Sequence, residues 1–469
     1  MEKSNKIKNL SQNALLFTIS GFGTRIISFF LVPLYTYVLS TDEFGSVDLV
    51  TTTVQLLIPV LTINIQDAVL RFSLDKNYKA EDAICVGFKI IGASSALLGV
   101  ILFGLDYSGI IPLESNYMFF LYLSFTSGAL NNNLSMYLKA KDHVKTLAVW
   151  GITNTAVTCL VNLLLLLGMH LGINGYMIAY VSGTIVADVG MFLSGNIMKD
   201  LKSSKRSDEI AREMVKYSAP LIANSLGWWI NNASDRYILT YFCGAAVNGI
   251  YAVSYKIPSI LSALQSIFYN AWSISSITEF DENDEDGFIG ETYIAYSSAS
   301  FLACSLIMLF NITIAHILYS KNFFVAWKYV PFLLLGTAFN GLGLFNGCIF
   351  AAAKETKEIS ITTVVSALIN TALNFILIPL VGAYGAAFAT MIGYFSIWFM
   401  RTLRLKSVIR MNVNWKKQVL MMIVLLMQCI AASANESFLY QLPFVLLLFV
   451  IQRKTILIIF DKLVLLLKR

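Results

Sequence analysis

Four basic side chains stand in stretches of sequence that are otherwise strongly apolar: Arg25, Lys89, Arg236 and Lys256. A charged residue at the centre of a membrane helix costs at least about 2.5 kcal/mol, and such residues usually mark a path for a substrate or an ion. A guanidinium group presents a fork of donors that matches phosphate oxygens, and an ammonium group acts as a point charge. These residues therefore predict a cationic cavity for a bulky anion. For Lys89, near the end of its apolar run, reaching the membrane surface is an equal alternative.

Polar residues recur every three or four positions in the same stretches, which places them on one face of a helix. Such a face avoids lipid and turns to the bundle interior or to a water-filled cavity. We therefore predict that a central cavity is lined by Asp48, Thr52, Gln55, Asn224, Trp228, Asn231 and Asp235. The alternative to a cavity-lining role is hydrogen bonding between helices for the hydroxyl and amide groups. For the tryptophan, the alternative is packing in the core of the bundle.

Two acids in apolar runs, Asp188 and secondarily Asp48, are candidates for ion coupling. A titratable acid within the membrane can exchange a proton or a sodium ion during transport. Asp188 is predicted at a depth similar to that of Arg25, so a buried ion pair between these two residues is the alternative interpretation.

Composition and apolar runs indicate the elements that must position these residues. Charged residues are 13% of the 469 positions and hydrophobic types are 57%, whereas soluble domains carry about 25% charged residues. Roughly 20 apolar residues cross a hydrocarbon core about 30 Å thick. The sequence therefore predicts about fourteen transmembrane helices, at 11–39, 44–69, 83–105, 116–138, 146–168, 175–197, 217–242, 248–278, 292–318, 330–352, 359–379, 384–404, 417–435 and 437–453.

The last of these spans is short because Gln452, Arg453 and Lys454 interrupt it. The following segment, "TILIIFDKLVLLLKR", either continues the helix or forms an amphipathic helix on the membrane surface. We favour the surface helix.

Lysine and arginine are distributed unevenly between alternate loops. With the amino terminus inside, the cytoplasmic segments hold 28 of these residues and the opposite loops hold only Lys321 and Lys328. Cytoplasmic loops of membrane proteins carry this excess of positive charge. Both termini are therefore predicted to be cytoplasmic, and the net charge of +6 requires no nucleic-acid partner.

Neither a metal site nor a cofactor is expected. The six cysteines are scattered singly, the three histidines are isolated, and no CxxC spacing occurs. The acidic "DENDEDG" at 281–287 lacks the ligand spacing of a calcium loop, so we interpret it as a solvated turn. The sequence contains no constellation for nucleophilic or metal-assisted catalysis, and we expect the protein not to be an enzyme.

Several sequence patterns repeat between the two halves of the chain. "LGINGYMIAYVSG" and "VGAYGAAFATMIG" align Gly175 with Gly385, and "KAKDHVK" and "AAKETKE" align Lys141 with Lys354. Repeats in the same orientation form two lobes related by an axis along the membrane normal. We predict an N-terminal lobe at 1–210, a C-terminal lobe at 211–410, and two further helices with a cytoplasmic tail at 411–469.

The residues also resemble a known family. "NTALNFILIPLVGAYGAAFAT" and "LVPLYTYVLSTDEFGSVDLVTT" are similar to segments of the multidrug/oligosaccharidyl-lipid/polysaccharide exporter superfamily, and to its bacterial polysaccharide branch, the Wzx-type flippases. The resemblance implies an all-α, MATE-like polytopic membrane protein with two pseudo-symmetric six-helix lobes and two additional C-terminal helices. It also implies translocation of an undecaprenyl-pyrophosphate-linked oligosaccharide across the bacterial cytoplasmic membrane, among membrane lipids and polysaccharide-assembly proteins.

Three alternatives remain open at this point. A lipid II flippase would share the cationic cavity, and a cation-coupled multidrug exporter would share the fold but present acidic groups to its cargo. A membrane glycosyl polymerase or ligase would normally need a large external loop, which the predicted spans do not leave.

The predicted orientation can be tested with single cysteines at Ser204 and Asn283 in a cysteine-free protein. Because both loops are expected to be cytoplasmic, neither cysteine should react with a membrane-impermeant thiol reagent in intact cells. Both should react after the cells are permeabilised, which is the control for accessibility. Labelling of either position from outside would overturn the orientation.

Overall fold

The computed structural model describes residues 28–109, 114–204 and 208–467, and the regular secondary structure of these ranges is helical. The first helices are α1 (Val32–Val38), α2 (Thr41–Leu61), α3 (Ile65–Leu74), α4 (Ala80–Ser108), α5 (Ser115–Ala140), α6 (Val144–Asn162), α7 (Gly172–Ser194), α8 (Ile197–Ser203), α9 (Asp208–Ser218) and α10 (Leu221–Cys243). The remaining helices are α11 (Ala245–Ser254), α12 (Pro258–Thr278), α13 (Phe288–Leu309), α14 (Asn311–Leu318), α15 (Val330–Ala352), α16 (Thr356–Val381), α17 (Ala383–Leu405), α18 (Trp415–Ala434) and α19 (Leu442–Leu467). A π-helical segment at Leu163–Gly168 extends α6, and short 3-10 helices lie at Lys321–Lys328 and Phe438–Tyr440.

Nine helices within the described ranges are long and apolar enough to cross a membrane. They are α2, α4, α6 with its π-helical extension, α7, α13, α15, α16, α17 and α18. The prediction of an all-α polytopic membrane protein is confirmed.

The chain forms two compact units, an N-terminal unit (Met1–Trp229) and a C-terminal unit (Ile230–Arg469). Helix α10 contributes residues to both. The lobe boundaries inferred from sequence, near residues 210 and 410, stay predictions.

The internal repeat is visible in how two helices end. After α5 and after α15, three consecutive backbone N–H groups donate to the same pattern of carbonyls. The donors are Lys141, Asp142 and His143 in one unit and Ala353, Lys354 and Glu355 in the other, 212 positions further on. Asp142 and Lys354 both have positive φ, 60° and 63°. The structural equivalent of Lys354 is therefore Asp142, one residue beyond the Lys141 that sequence alignment suggested.

Glycines repeat with the same geometry. Gly183 on α7 packs against Asn154 and Thr158 of α6, and Gly393 on α17 packs against Asn370 of α16. The aligned pair behaves likewise, because Gly175 contacts Leu165 and Leu166 while Gly385 contacts Leu377 and Ile378. The absence of a side chain at these glycines lets α7 approach α6 closely in the N-terminal unit, and lets α17 approach α16 closely in the C-terminal unit.

The predicted span 44–69 is not one helix. Helix α2 begins with a capping box, in which Ser40 and Glu43 each bond the other's backbone N–H. Helix α2 ends because Ile63 and Asn64 have φ values of 53° and 52°. This left-handed conformation costs a non-glycine residue roughly 1–3 kcal/mol. The expectation of a continuous helix there is wrong.

The predicted span 248–278 is also divided, between α11 and α12. Pro258 is the first residue of α12 and cannot donate a backbone hydrogen bond to the carbonyl four residues earlier. Tyr255, Lys256 and Ile257 form the turn between the two helices.

The acidic stretch at 281–287 caps a helix. The carboxylate of Asp284 accepts from the backbone N–H groups of Ile289 and Gly290, both at 2.9 Å, in the first turn of α13. Asp284 is only 8% exposed, so the interpretation as a fully solvated turn is wrong for this residue. A negative charge at a helix N-terminus is stabilised by the helix dipole.

Helix α9 packs within the N-terminal unit. Ile210 and Met214 of α9 are buried, and the Tyr78 hydroxyl donates to the Glu213 carboxylate at 2.6 Å. This hydrogen bond to Glu213 raises the pKa of Tyr78, since a nearby carboxylate disfavours the phenolate.

Helix α18 packs against α13 in the C-terminal unit through buried amides. The Gln418 side chain donates to the Ser297 hydroxyl at 2.9 Å, and Gln428 exchanges two hydrogen bonds with Ser305. Helix α19 runs without interruption from Leu442 to Leu467. The expected surface helix after Arg453 is therefore wrong, because no residue in that stretch ends the helix.

Arg401 ties three helices of the C-terminal unit together. Its side chain on α17 is 2% exposed and donates to the Gly343 carbonyl of α15 at 2.7 Å. It also donates to the hydroxyls of Thr362 and Thr363 on α16, each at 3.0 Å, and to the Ile359 carbonyl at 3.3 Å. The guanidinium group therefore bonds neutral oxygens from two neighbouring helices.

Arg401→Ala should destabilise the protein by about 2 kcal/mol, since four hydrogen bonds worth roughly 0.6 kcal/mol each in a membrane interior are lost. Arg404→Ala is the matched control on the same helix. Arg404 is 42% exposed and forms a salt bridge with Glu358, and a surface salt bridge contributes about 0–1 kcal/mol to stability. Thermal unfolding in lipid or detergent compares the two variants. Equal losses would contradict the role assigned to Arg401.

Candidate functional site

A buried acid organises a polar cluster in the C-terminal unit. Asp235 on α10 is 3% exposed, and its Oδ2 accepts from the hydroxyls of Tyr251, Tyr255 and Thr390 at 2.6, 3.1 and 3.2 Å. The two tyrosines come from α11 and the adjoining turn, and the threonine comes from α17. The acid therefore joins three segments through hydroxyl donors, the kind of partner that a buried carboxylate requires.

Two of the predicted cationic residues lie beside this cluster. The Arg236 guanidinium carbon is 5.3 Å from the ring centroid of Tyr255, within the range of a cation–π attraction. Lys256 is half-buried and follows Tyr255 in the turn between α11 and α12. Arg236 also interacts electrostatically with Asp235. Arg236 thus places a positive charge against the ring of Tyr255, and Lys256 is the next residue after that tyrosine in the chain.

A second polar cluster lies in the N-terminal unit, around Tyr35. The Asn162 amide donates to the Tyr35 hydroxyl at 3.0 Å, and the rings of Tyr35 and Tyr176 meet edge to face with centroids 4.8 Å apart. Asp48 on α2 is half-buried and interacts electrostatically with Tyr176. One turn along α2, Thr52 is 2% exposed, and its carbonyl accepts from the Trp229 indole at 3.0 Å.

Asp188 is buried on α7 of the N-terminal unit, with 8% exposure. Its Oδ1 accepts from the Asn131 amide of α5 at 2.7 Å. Arg25 lies outside the described residues, so its predicted role and its pairing with Asp188 stay predictions.

The remaining predicted residues differ in exposure. Lys89, Gln55 and Asn224 are exposed, Trp228 is half-buried, and Asn231 is 4% exposed. Lys89 shares its exposed stripe of α4 with apolar side chains that include Leu97, Val100 and Phe103. The role of these residues in a cavity stays a prediction.

Sequence reasoning missed Tyr251, Tyr255 and Thr390 as partners of Asp235. Tyr251 and Tyr255 are spaced by four residues and share a helical face with each other, a signal that was available. Thr390 stands 155 residues after Asp235 and gives no local signal. Arg401 is one of the 28 basic residues predicted to lie in cytoplasmic segments. Its burial depends on contacts with α15 and α16 that the sequence does not show. No group of His, Cys, Asp and Glu suited to a metal ion occurs among residues 28–109, 114–204 and 208–467.

Comparison with solved structures identifies the fold. "Lipid II flippase MurJ, inward closed conformation" superposes with a TM-score of 0.70 at 14% identity, covering 94% of this chain and all of that one. "Inward-facing conformation of a multidrug resistance MATE family transporter of the MOP superfamily" gives 0.59 at 12% identity, covering 83% of this chain and 95% of the other. A MATE structure in complex with MaL6 gives 0.57 at 13% identity, covering 86% and 96%.

No curated protein sequence matches the chain. The family model described as "Polysaccharide biosynthesis protein" matches residues 10–273, more than half of its length. The chain has the fold of these lipid II flippase and MATE transporter structures, and it belongs to this polysaccharide biosynthesis family.

Proposed function

We propose that the protein translocates an undecaprenyl-pyrophosphate-linked oligosaccharide from the cytoplasmic to the outer leaflet of the bacterial cytoplasmic membrane by alternating access. The observation that carries this proposal is the cation–π contact between Arg236 and Tyr255, with Lys256 as the next residue along the chain, in a polysaccharide biosynthesis protein. A guanidinium held against an aromatic ring suits an anionic headgroup, because the ring positions the cation and leaves it N–H donors that can bind phosphate.

The cationic set of the proposed site also includes Arg25 and Lys89. Arg25 supplies a guanidinium deep in the first predicted span, and Lys89 offers an exposed ammonium group on α4. The sugar part of the cargo meets the predicted polar lining, which includes Asp48, Thr52, Gln55, Asn224, Trp228 and Asn231. The proposed activity is movement without covalent chemistry, so the protein is not an enzyme in this proposal.

Lipid II translocation is the second candidate function. The similarity to MurJ extends over 94% of the chain with a TM-score of 0.70, compared with 0.57 and 0.59 for the two MATE structures. Both candidates require recognition of a pyrophosphate-linked lipid, and they differ only in the sugar. Reconstituted protein supplied with each lipid-linked sugar separates the two.

Ion coupling is assigned to Asp188, with Asp48 as the second candidate. Asp188 is buried and has one amide donor, Asn131. An acid held by one neutral partner can lose or gain a proton, or exchange it for a cation, as its surroundings change. Protons or sodium ions are the proposed coupling ions.

The first prediction concerns Arg25. If Arg25 binds the phosphates, charge is its first requirement and forked geometry its second, so Arg25→Lys should retain part of the glycan export and Arg25→Ala almost none. If Arg25 instead pairs with Asp188, Arg25→Ala should lose about 3–5 kcal/mol of stability and deplete the protein from the membrane.

Export is scored against membrane protein level in Arg25→Lys, Arg25→Ala, Asp188→Ala and the double alanine variant. Normal abundance with lost export in Arg25→Ala supports substrate binding. A fully active double variant refutes it.

The second prediction concerns Asp188. Asp188→Asn should remove the ion dependence of flipping in vesicles and leave a folded protein, because the amide keeps the size of the side chain and loses its charge. Asp200→Asn is the matched control, since the Asp200 carboxylate is already paired with Lys141 at 2.9 Å and with Tyr137 at 2.8 Å. Full ion dependence in Asp188→Asn would show that Asp188 is structural.

A further inference from the structure

The broken helix formed by α2 and α3 and the broken helix formed by α11 and α12 are divided in opposite proportions. In the N-terminal unit, the 21 residues of α2 precede the 10 residues of α3. In the C-terminal unit, the 10 residues of α11 precede the 21 residues of α12. The sequences "YVLSTDEFGSVDLV" and "TYFCGAAVNGIYAV" align Gly45 with Gly249, and each glycine is the fifth residue of its helix, α2 or α11. Since the two helices begin at equivalent places in the repeat, one break lies in the last third of its helix pair and the other in the first third.

The break in the N-terminal unit is bridged by a serine from another helix. In a continuous helix the Leu61 carbonyl would accept from the Ile65 N–H, but that N–H donates to Thr62 instead. The Ser94 hydroxyl of α4 lies 2.7 Å from the Leu61 carbonyl and 2.8 Å from that of Ile90. Its single hydrogen can serve either carbonyl.

Hydrogen bonds among three neighbouring side chains also stabilise the break in the N-terminal unit. The Asn64 amide donates to Asp67 at 2.6 Å, and the Gln66 amide donates to Asn64 at 2.6 Å. Asn64 is 3% exposed. The positive φ of Ile63 and Asn64 is a conformation that such residues keep only where surrounding contacts determine it.

The break in the C-terminal unit is bridged by a tyrosine. The Tyr319 hydroxyl, 3% exposed, donates to the Val253 carbonyl at 3.2 Å, and the Ile257 backbone N–H bonds to the same hydroxyl. Val253 and Ile257 are the partners that a continuous helix would join directly. The Tyr319 hydroxyl is thus inserted into the helical ladder, a known cause of a sharp kink.

We propose that these breaks are two hinges and that Ser94 and Tyr319 are their latches. Loss of the latch bond frees the short segment, α3 or α11, to move while the 21-residue helix beside it remains fixed. Hinges of a few residues at helix ends are the usual means by which transporters change access. Because one break comes late in its helix pair and the other comes early, the hinge of the N-terminal unit and the hinge of the C-terminal unit act at different points of the repeat. The inference rests on the fold and is independent of the proposed cargo.

Hydrogen–deuterium exchange of the full-length protein in lipid nanodiscs, without substrate, tests the two latches separately. Ser94→Ala should accelerate exchange about fivefold at residues 61–66, the effect expected from losing one hydrogen bond, and leave residues 253–260 unchanged. Tyr319→Phe should do the reverse. The long helices α2 and α12 should keep their protection up to the break in both variants.

Each variant has a matched control. Ser95→Ala removes a neighbouring hydroxyl of equal exposure, 6%, that bonds Thr126 and not the break. Tyr293→Phe removes a buried hydroxyl of the C-terminal unit that accepts from Trp398. Both controls should leave the exchange of both breaks unchanged. If Ser94→Ala does not fold, Ser94→Cys keeps a side chain there with a weaker donor.

Unchanged exchange at both breaks would overturn the proposal. So would a parallel increase at both breaks in each variant, since that reports general loosening and not two hinges. Because the measurement includes no cargo, its outcome is independent of whether the protein moves a lipid-linked sugar.

Discussion

Hydrocarbon offers no water to a backbone or side-chain polar group, so each such group must find its partner within the protein. The structure follows this constraint at four side chains that lie where the chain departs from an apolar helix. Arg401 bonds four neutral oxygens, Asp235 collects three hydroxyl donors, and Ser94 and Tyr319 serve carbonyls that broken helices release. The buried charges and the helix breaks therefore depend on a few serines, threonines and tyrosines on neighbouring helices, whose hydroxyl groups supply the hydrogen bonds.

The fold could be predicted from sequence to the extent that it depends on local signals. Apolar runs indicated the spans, and the Gly175 and Gly385 motifs indicated the repeat, because close helix contact requires glycine at those positions. The break at Ile63 could not be predicted, since a β-branched residue normally avoids positive φ. Its conformation depends on Ser94, about thirty residues away. Pro258, by contrast, was a local signal for the second break.

The candidate site was predictable only in its residue types. Helical spacing correctly grouped Asn231 with Asp235 on one face, but it could not show that the partners of Asp235 are Tyr251, Tyr255 and Thr390. These contacts join helices distant in sequence, so no periodicity encodes them. The role of Lys89 stays a prediction, because a lysine on an apolar stripe and a lysine that faces a cavity have the same sequence signature.

Helix α19 has a consequence for how the protein fits its bilayer. Its 26 residues extend about 39 Å, which exceeds a hydrocarbon core of about 30 Å. The Gln452 amide donates to the Met421 sulfur at 3.1 Å, so sliding of the helix past α18 to correct the mismatch would break this buried contact. Thickness differences between membranes must therefore be absorbed by tilt, or by the part of the helix beyond Arg453 leaving the core. The carboxyl-terminal turns of α19 thus form a segment whose immersion varies with lipid chain length while the rest of the unit keeps its depth.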